Sequence, residues 1–406
     1  MNNIFSTTRV NRFALKSFAI ALLFMFTACG EKKPVAQNQT QTTPDTNVLF
    51  WSLEKRDAAF RDMEKRLPSR VVSAGGSVAG LPDGKKIAPS WIFAGQSWET
   101  KSYMQDQRAA GVIVVHNGQV RLEQYGLDFS AEQRWTSFSV AKSFTSTLVG
   151  AAIKDGYIKS IDDQLTLYIP ELAGSGYDGV TVQQLLTMQS GVQWNEDYSD
   201  PKSDVAQFLL TKSVDGVDPT ILYMKNLRSE VEPGSRWQYN TGETNLIGVL
   251  VSKASGKTLS DYLSEKVWQP YGMEMDAIWL LNDGGAEIGG CCFSARLRDY
   301  ARFGLFALGG GMVNGESIVP DGWFEAAGTK QAGIDRPGFG YGYQWWTYDD
   351  GSFAAQGIFG QGVFIDPKRN LVIASNSNWL TASPDKMKDK RNAFYAAVQA
   401  AVDNGE

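Results

Sequence analysis

The chain has 406 residues, of which 43% are hydrophobic and 20% charged, and its formal charge is -5 at pH 7. This composition is typical of a globular protein with one large domain or two smaller ones, and it excludes fibrous repeats, wholly disordered chains and multi-span membrane proteins. The mild acidity argues against nucleic acid as a partner. The single histidine, His116, excludes mechanisms that need two histidines, including the usual His-rich zinc sites and the HExxH proteases.

The chain begins with an apparent export signal, in which a basic start is followed by a short apolar run, Phe18 to Phe26. The next residues, Phe26-Thr-Ala-Cys-Gly30, resemble the lipobox of bacterial lipoproteins, although Phe26 replaces the usual Leu. We therefore predict that residues 1–28 are a lipoprotein signal peptide and that Cys29 is the lipidated N-terminus. A signal peptide cut elsewhere and an uncleaved anchor are the alternatives.

Residues 29–48 are rich in Gln, Thr, Pro and Asn, so they cannot bury a core and are predicted to be a flexible tether. Gly30 after the cysteine resembles the sorting signal for the outer membrane of Gram-negative bacteria. The expected location is the bacterial cell envelope, as a periplasmic lipoprotein of the outer membrane. The lipid anchor is then the only contact with the membrane.

The elements of the body follow in chain order. Near-helical apolar spacing and then a stretch punctuated by Gly and Pro predict an N-terminal helix and a wrapping segment over residues 49–95. Asn117-Gly118 is the strongest hairpin signal, and it places His116 at a strand end. Strands are predicted at Gly111–His116, Gln119–Tyr125, Phe353–Phe359, Gly362–Asp366 and Leu371–Ser375, and helices at Ser139–Ile153, Thr181–Met188, Thr244–Ala254, Leu297–Leu308, from Thr258 and from Ser383.

Strands at both ends with helices between them predict an α+β fold. One antiparallel sheet is built from both termini and flanked by helices. The main domain covers residues 96–406, with an inserted helical subdomain at about 157–340. The adjacent Cys291 and Cys292 are predicted to be reduced, buried thiols, because disulfides between neighbouring cysteines are uncommon.

Four Ser-x-x-Lys matches occur, at Ser52, Ser139, Ser199 and Ser383. Only Ser139 opens an otherwise apolar helix, so Lys142 must be buried or face a cleft. Residues i and i+3 share a helix face, which brings the Lys142 amine within reach of the Ser139 hydroxyl. A lysine in a dry pocket has a depressed pKa and can accept the proton of a serine, while the helix N-terminus offers N–H groups to an oxyanion.

The segment Ser137-Phe-Ser-Val-Ala-Lys-Ser-Phe-Thr-Ser146 resembles the nucleophile helix of the serine β-lactamase and penicillin-binding-protein superfamily. It resembles more closely the branch that contains 6-aminohexanoate-dimer hydrolase and related esterases, over roughly residues 90–406. Three later segments agree in order and spacing: Leu185-Leu-Thr-Met-Gln-Ser-Gly191 with Glu196-Asp-Tyr198; Glu232-Pro-Gly with Tyr239-Asn-Thr241 and Asn245-Leu-Ile-Gly248; and Tyr341-Gly-Tyr-Gln-Trp-Trp346 with Gln356-Gly-Ile-Phe-Gly-Gln361.

The resemblance implies a β-lactamase/transpeptidase-like fold, with Ser139 as the acylated nucleophile and Lys142 as its general base. Tyr239 matches the tyrosine that shuttles protons to and from the leaving group, a role that we expect to need a pKa lowered by Lys142. The oxyanion hole would be formed by the backbone N–H groups of Ser139 and Ile358. The implied substrate-binding residues are Tyr198, Gly357 and Trp345, the last as an aromatic wall of the cleft, with plain core packing left open for Trp345.

Two departures from the family pattern bear on the substrate. The second motif usually ends in Asn, but position 241 is Thr. The third motif usually carries Lys or His before Ser/Thr-Gly, whereas Gln356-Gly357-Ile358 stands here and no cation is present. Since a cationic third motif is how this family usually binds a substrate carboxylate, the change favours esters or uncharged amides.

The sequence therefore predicts a serine hydrolase that cleaves a small-molecule ester or amide through an acyl-enzyme on Ser139. A β-lactamase or DD-peptidase on the same fold, and a non-catalytic binding protein, are the alternatives. We expect no metal, no cofactor and no nucleic-acid partner. The oligomeric state is left open.

Overall fold

The hairpin around Asn117-Gly118 forms one edge of an eight-stranded antiparallel sheet in a computed structural model of the protein. The structure describes residues 47–405, which lie in a single compact unit. The predicted signal peptide, Cys29 and the predicted tether up to residue 46 lie outside the described residues. Within residues 47–405 no helix combines the length and the apolar character needed to cross a bilayer.

Sixteen strands and twelve α-helices are assigned in the described part of the chain. The strands are β1 (Ser69–Val72), β2 (Ser90–Phe93), β3 (Gln96–Glu99), β4 (Ala109–His116), β5 (Gln119–Tyr125), β6 (Trp135–Thr136), β7 (Ala277–Leu280), β8 (Phe293–Ala295), β9 (Met312–Val313), β10 (Glu316–Ser317), β11 (Ala332–Gly333), β12 (Phe339–Tyr341), β13 (Trp346–Tyr348), β14 (Phe353–Gly357), β15 (Gln361–Asp366) and β16 (Leu371–Ser377). The helices are α1 (Leu53–Ala59), α2 (Thr100–Asp106), α3 (Ala141–Lys154), α4 (Val182–Leu186), α5 (Asp204–Phe208), α6 (Pro219–Met224), α7 (Thr241–Ser255), α8 (Leu259–Leu263), α9 (Gln269–Tyr271), α10 (Leu297–Leu308), α11 (Trp323–Gly328) and α12 (Asp385–Asp403).

The prediction of one sheet assembled from both ends of the chain is confirmed. Its strand order is β11-β12-β13-β14-β15-β16-β4-β5, and every neighbouring pair is antiparallel. The early hairpin β4–β5 joins the late strands through β16, where His116 pairs with Leu371. This joint fixes β14 in the interior of the sheet, beside the nucleophile turn.

Both faces of the sheet are covered, as the alternation along β4 requires. Ile113 and Val115 belong to the large core with α3, α7 and α10. Val112 and Val114 point to the opposite face, where they share a second core with Phe394 and other residues of α2 and α12. Because both faces are buried, β4 reads as a continuous apolar run rather than an alternating one.

The region predicted as a helical subdomain, about 157–340, also supplies strands. Strands β7 and β8 join β1 and β6 in a second antiparallel sheet of order β1-β7-β8-β6. Periodicity missed these strands, because β7 and β8 have only four and three residues and both are buried along their whole length. The second sheet carries β6, which leads directly into the nucleophile turn.

Helix ends differ from prediction where a side chain or a backbone turn decides them. Helix α7 begins at Thr241 rather than Thr244, because the side chain of Asn240 accepts a hydrogen bond from the Glu243 amide and caps the helix. The capping box of Thr181 and Gln184 is confirmed, but α4 ends at Leu186 because Met188 adopts left-handed backbone angles (φ 58°).

The prediction of two reduced thiols is wrong for this structure, since Cys291 and Cys292 form a disulfide. Cys292 has left-handed backbone angles (φ 69°), and this turn brings the sulfurs of neighbouring residues together. Both residues line a cavity beside Ser139. Sequence adjacency argues against such a bond in general, but it does not reveal a local backbone turn.

Candidate active site

The candidate nucleophile, Ser139, lies in a tight turn between sheet and helix. A 3-10 turn, Phe138–Val140, follows β6 and leads straight into α3. Phe138 has φ 44°, a conformation that costs a non-glycine residue free energy and is typical of functional sites. Its ring packs against Phe60 and Phe359, which hold the turn in place. The Ser139 side chain is thereby presented to a cleft at the head of the helix.

Lys142, one helical turn along, is buried with only 1% of its surface exposed. Its Nζ atom lies 3.2 Å from Ser139 Oγ, 3.1 Å from Thr241 Oγ1 and 2.7 Å from the carbonyl oxygen of Gly290. A neutral amine has two N–H donors and one lone pair. Donation to Gly290 and Thr241 leaves that lone pair for the Ser139 proton.

Burial also favours the neutral form of this amine. Desolvation lowers the pKa of Lys142 from its usual value to about 8, and the negative charge of Glu196 acts in the opposite direction. A substantial fraction of Lys142 is therefore unprotonated at neutral to mildly alkaline pH. The geometry and the pKa agree on a general base.

Tyr239 lies against this pair, with Lys142 Nζ 5.2 Å from its ring centroid and its side chain interacting with Ser139. The expectation that Lys142 lowers the pKa of this phenol is wrong. Desolvation and then the Glu196 charge raise the pKa of Tyr239 above its ordinary value, although the contact with Ser139 partly opposes them. Tyr239 is thus a neutral phenol, suited to donating a proton rather than to acting as a phenolate base.

Glu196 connects the two halves of the site, a role that the sequence did not predict. Its carboxylate accepts hydrogen bonds from the Thr241 hydroxyl, from the Thr241 amide at 3.0 Å, from the Tyr198 hydroxyl at 2.8 Å and from the Trp194 indole. Since the Thr241 proton is committed to Glu196, the Thr241 oxygen faces Lys142 as an acceptor. Thr241 therefore takes the place of the usual asparagine with the help of a second residue.

The predicted oxyanion donors lie where β14 passes the nucleophile turn. A Cβ atom at Gly357 would come within 2.4 Å of the Ser137 carbonyl oxygen and 3.1 Å of the Ser139 amide nitrogen, so only glycine allows this approach. Ile358 follows Gly357 and contributes to both clefts at Ser139. Phe359, with φ 60°, turns the chain immediately afterwards.

A cation, the guanidinium of Arg391, lies next to the third-motif residue Gln356. Gln356 donates to the Tyr348 hydroxyl at 2.9 Å, and its Oε1 accepts from the guanidinium of Arg391 on α12. Arg391 is 2% exposed and forms no ion pair with any carboxylate of residues 47–405. The sequence placed this arginine in the last helix, 35 residues beyond the motif, so spacing could not reveal it.

Trp345 does not line the cleft, and the prediction that it forms an aromatic wall is wrong. It is fully buried in the core, packed on Phe303 and Phe353. The next residue, Trp346, begins β13 and points the other way, as strand alternation requires. Trp346 stacks on Tyr239 with ring centroids 5.5 Å apart and lines the cleft.

Two cavities meet at Ser139, and they differ in chemistry. They share Ser139, Tyr198 and Ile358. One, of about 340 Å³, is lined by Tyr239 and by polar and charged groups, and we call it the polar cleft. The other, of about 330 Å³, is walled mostly by aliphatic and aromatic side chains, and we call it the apolar cavity. The nucleophile thus has a separate space on each side for the two halves of a substrate.

Comparison with known proteins shows which family has this fold and this site. The beta-lactamase family model matches residues 99–398. The chain belongs to the β-lactamase family. A 6-aminohexanoate-dimer hydrolase of Paenarthrobacter ureafaciens is 33% identical over 308 residues, which are 72% of this chain and 78% of that one.

Two solved structures have the same fold as this chain. A candidate 6-aminohexanoate-dimer hydrolase from Bacillus anthracis superposes with a TM-score of 0.77 at 26% identity, over 86% of this chain and 94% of that one. A family VIII carboxylesterase matches with a TM-score of 0.56 at 17% identity, over 74% and 94% of the two chains, which shows a shared fold. The protein is a serine hydrolase of the β-lactamase family.

Within this β-lactamase-family site, the sequence-predicted residues Ser139, Lys142, Tyr239, Tyr198 and Gly357 come together at one cleft. Three contributors were missed: Glu196, Arg391 and the Gly290 carbonyl. Trp346 takes the place predicted for Trp345. Glu196 stands in a quoted motif, and a carboxylate two residues from a predicted substrate-side tyrosine was the available signal. A backbone carbonyl leaves no signal in sequence.

Proposed function

We propose that the protein hydrolyses small esters or amides through an acyl-enzyme on Ser139. The observation that carries this is the contact set of Lys142, which has acceptors for two N–H groups and the Ser139 hydroxyl at its remaining position. Lys142 takes the Ser139 proton as Oγ attacks the carbonyl carbon. The resulting oxyanion is stabilised by the amides of Ser139 and Ile358.

Collapse of that intermediate releases the alcohol or amine, which takes a proton from Tyr239. The raised pKa of Tyr239 keeps the proton on the phenol until a basic leaving group develops next to it. The proton held by Lys142 then passes to the Tyr239 phenolate, which restores the neutral amine and the neutral phenol. Water attacks the acyl-enzyme with Lys142 again as base, Lys142 returns that proton to Ser139 Oγ as the acyl bond breaks, and the acid is released. The name of the Paenarthrobacter relative supports a linear amide as one substrate, and the carboxylesterase fold match supports esters.

The test uses the purified protein and the Ser139→Ala variant with a p-nitrophenyl ester, a linear 6-aminohexanoate dimer and a chromogenic β-lactam. We expect ester or amide turnover and labelling by a fluorophosphonate, both lost in the variant. Turnover that survives in Ser139→Ala contradicts the assignment of the nucleophile. No turnover of any of the three substrates, together with no labelling by the fluorophosphonate, contradicts the proposed activity.

A second candidate, hydrolysis of a β-lactam or a peptidoglycan peptide, is favoured by one observation. The buried guanidinium of Arg391 reaches Gln356 at the third-motif position and could attract a substrate carboxylate. Rapid β-lactam turnover with little ester cleavage, abolished by Arg391→Met, would favour this candidate over the first.

We further propose that the protein is held in the bacterial envelope by a lipid on Cys29, as a periplasmic lipoprotein of the outer membrane. The basic start, the short apolar run and the small residues before Cys29 support it. We expect radiolabelled palmitate to be incorporated in the wild type and not in Cys29→Ser. Incorporation in both would contradict the proposal.

A further inference from the structure

The apolar cavity and the polar cleft give the substrate a direction. In the proposed reaction the carbonyl carbon carries Ser139 Oγ, the oxyanion, the leaving group and the acyl chain. The leaving group must lie next to its proton donor, Tyr239, and Tyr239 lines the polar cleft but not the apolar cavity. The acyl chain is therefore left with the apolar cavity.

The walls of that cavity set the chemistry of the acyl chain. Its sides are built from several separate segments of the chain, and the aliphatic and aromatic groups include Leu49, Leu67, Phe208, Leu209, Leu281 and Ile288. Its volume of about 330 Å³ is near the lower end of the range for small-molecule sites, about 300–1,000 Å³. It suits a short to medium hydrocarbon chain.

The carboxylate that lines the apolar cavity already has an ion-pair partner. Asp283 is the single carboxylate among the described residues that line it, and Asp283 binds Lys212 at 2.8 Å. Lys212 is 77% exposed, so this pair lies at the solvent end. An acyl chain ending in an ammonium group would have to leave water without finding a free counter-charge.

We propose that the apolar cavity is the acyl-group subsite and that it selects an uncharged aliphatic acyl chain over an ω-ammonium chain of the same length. This rests on the proposed function. It separates the protein from a hydrolase of 6-aminohexanoate dimer, whose acyl half ends in an amino group, and it names esters or amides of medium-chain fatty acids as the substrate class.

The experiment measures kcat/KM for p-nitrophenyl acetate, butyrate, hexanoate and 6-aminohexanoate, each corrected for its spontaneous hydrolysis. We expect a rise of up to about fourfold per methylene from acetate to hexanoate, the factor for burying one CH₂. We expect the hexanoate to exceed the 6-aminohexanoate by at least about tenfold, since the ammonium must be desolvated.

A variant that introduces a negative charge tests whether the acyl chain binds in the apolar cavity. Leu209 lines the cavity and is 36% exposed, so Leu209→Asp adds a carboxylate without removing a core residue. We expect this variant to lose hexanoate activity and to gain activity on the 6-aminohexanoate. The control is Leu167→Asp, since Leu167 is 69% exposed and lines neither cavity. If Leu209→Asp does not fold, Leu209→Trp narrows the same cavity and should flatten the chain-length series.

The outcomes separate this inference from the proposed function. Acetate turnover and fluorophosphonate labelling that depend on Ser139 report the activity itself. If both hold but kcat/KM does not rise with acyl-chain length, or the 6-aminohexanoate ester is cleaved as fast as the hexanoate ester, the subsite assignment is overturned and the activity stands. If Ser139-dependent turnover is absent, the proposed function fails first.

Discussion

The carboxylate of Glu196 controls how easily Lys142 gives up its proton. The two groups are joined through Thr241, whose hydroxyl donates to Glu196 and accepts from Lys142 Nζ at 3.1 Å. Glu196→Gln removes the negative charge and keeps the shape of the side chain. We predict that it lowers the pKa of Lys142 and moves the acid limb of the kcat/KM profile to lower pH.

The size of the shift follows from the geometry. Two hydrogen bonds in series place the charges about 5 Å apart, for which Coulomb's law gives about 3 kcal/mol at a dielectric constant of about 20 and about 1 kcal/mol in water. At about 1.4 kcal/mol per unit, the pKa falls by about one to two units. In the wild type the limb should lie near the Lys142 pKa of about 8.

The sign is fixed by which form of Lys142 is active. The neutral amine accepts the Ser139 proton, so activity rises as pH passes upward through its pKa. A nearby anion stabilises the ammonium form and raises that pKa, hence removing the anion shifts the rise towards acid. The height of the plateau should fall as well, because the Thr241 proton loses its charged acceptor.

The assay is kcat/KM for an ester from pH 5 to 10 in the wild type, Glu196→Gln and Glu196→Asp, with Glu171→Gln as control. Glu171 is a surface carboxylate paired with Lys253, so its loss should leave the limb in place. Glu196→Asp keeps the charge and should keep the limb even if the plateau drops. An acid limb that stays put or moves to higher pH in Glu196→Gln refutes the reasoning.

Three further predictions follow from single contacts. Tyr239→Phe should slow alkyl-ester or amide hydrolysis by about 10²–10⁴-fold and p-nitrophenyl ester hydrolysis far less, since p-nitrophenolate leaves without a proton; equal losses in kcat on both would contradict it. Gly357→Ala should lower kcat and the melting temperature together, because its Cβ meets the Ser137 carbonyl oxygen at 2.4 Å; an unchanged kcat would contradict it. Burial raises the pKa of Glu243 to about 8, so the folded state keeps a proton that the unfolded chain loses near pH 4.5. Wild-type stability should therefore fall with rising pH across that window by up to about 1.4 kcal/mol per unit, and urea unfolding of Glu243→Gln should show a smaller slope.

Local patterns were enough to predict much of the fold. The turn at Asn117-Gly118 and the strand Gln119–Tyr125 agree with the structure, as do the bounds of Leu297–Leu308. These features depend on turn residues and on periodicity within one segment. The two short strands β7 and β8 depend instead on partners far along the chain, so nothing local marks them.

In the candidate site, too, contacts within one segment could be predicted and contacts between distant segments could not. Ser139 and Lys142 lie within one helical turn, so their meeting follows from helix geometry. Glu196 and Thr241 are 45 residues apart and meet only because the loop before α5 folds back on α7. Trp345 and Trp346 were indistinguishable by type, and only the direction of β13 decides which one faces the cleft.

Desolvation is the main cause of the pKa shifts of both Lys142 and Tyr239. We expected Lys142 to lower the pKa of Tyr239 through attraction between an ammonium and a phenolate. That attraction requires a protonated lysine. The same burial that disfavours the lysine ammonium also disfavours the tyrosine phenolate, so it lowers the pKa of Lys142 and raises that of Tyr239. Above a pH of about 8 the pair is a neutral amine beside a neutral phenol, one able to accept a proton and the other to donate one. The Glu196 carboxylate stabilises the ammonium form of Lys142 through Thr241. For this reason a residue that hydrogen-bonds to neither Ser139 nor Tyr239 should still shift the pH at which the enzyme becomes active.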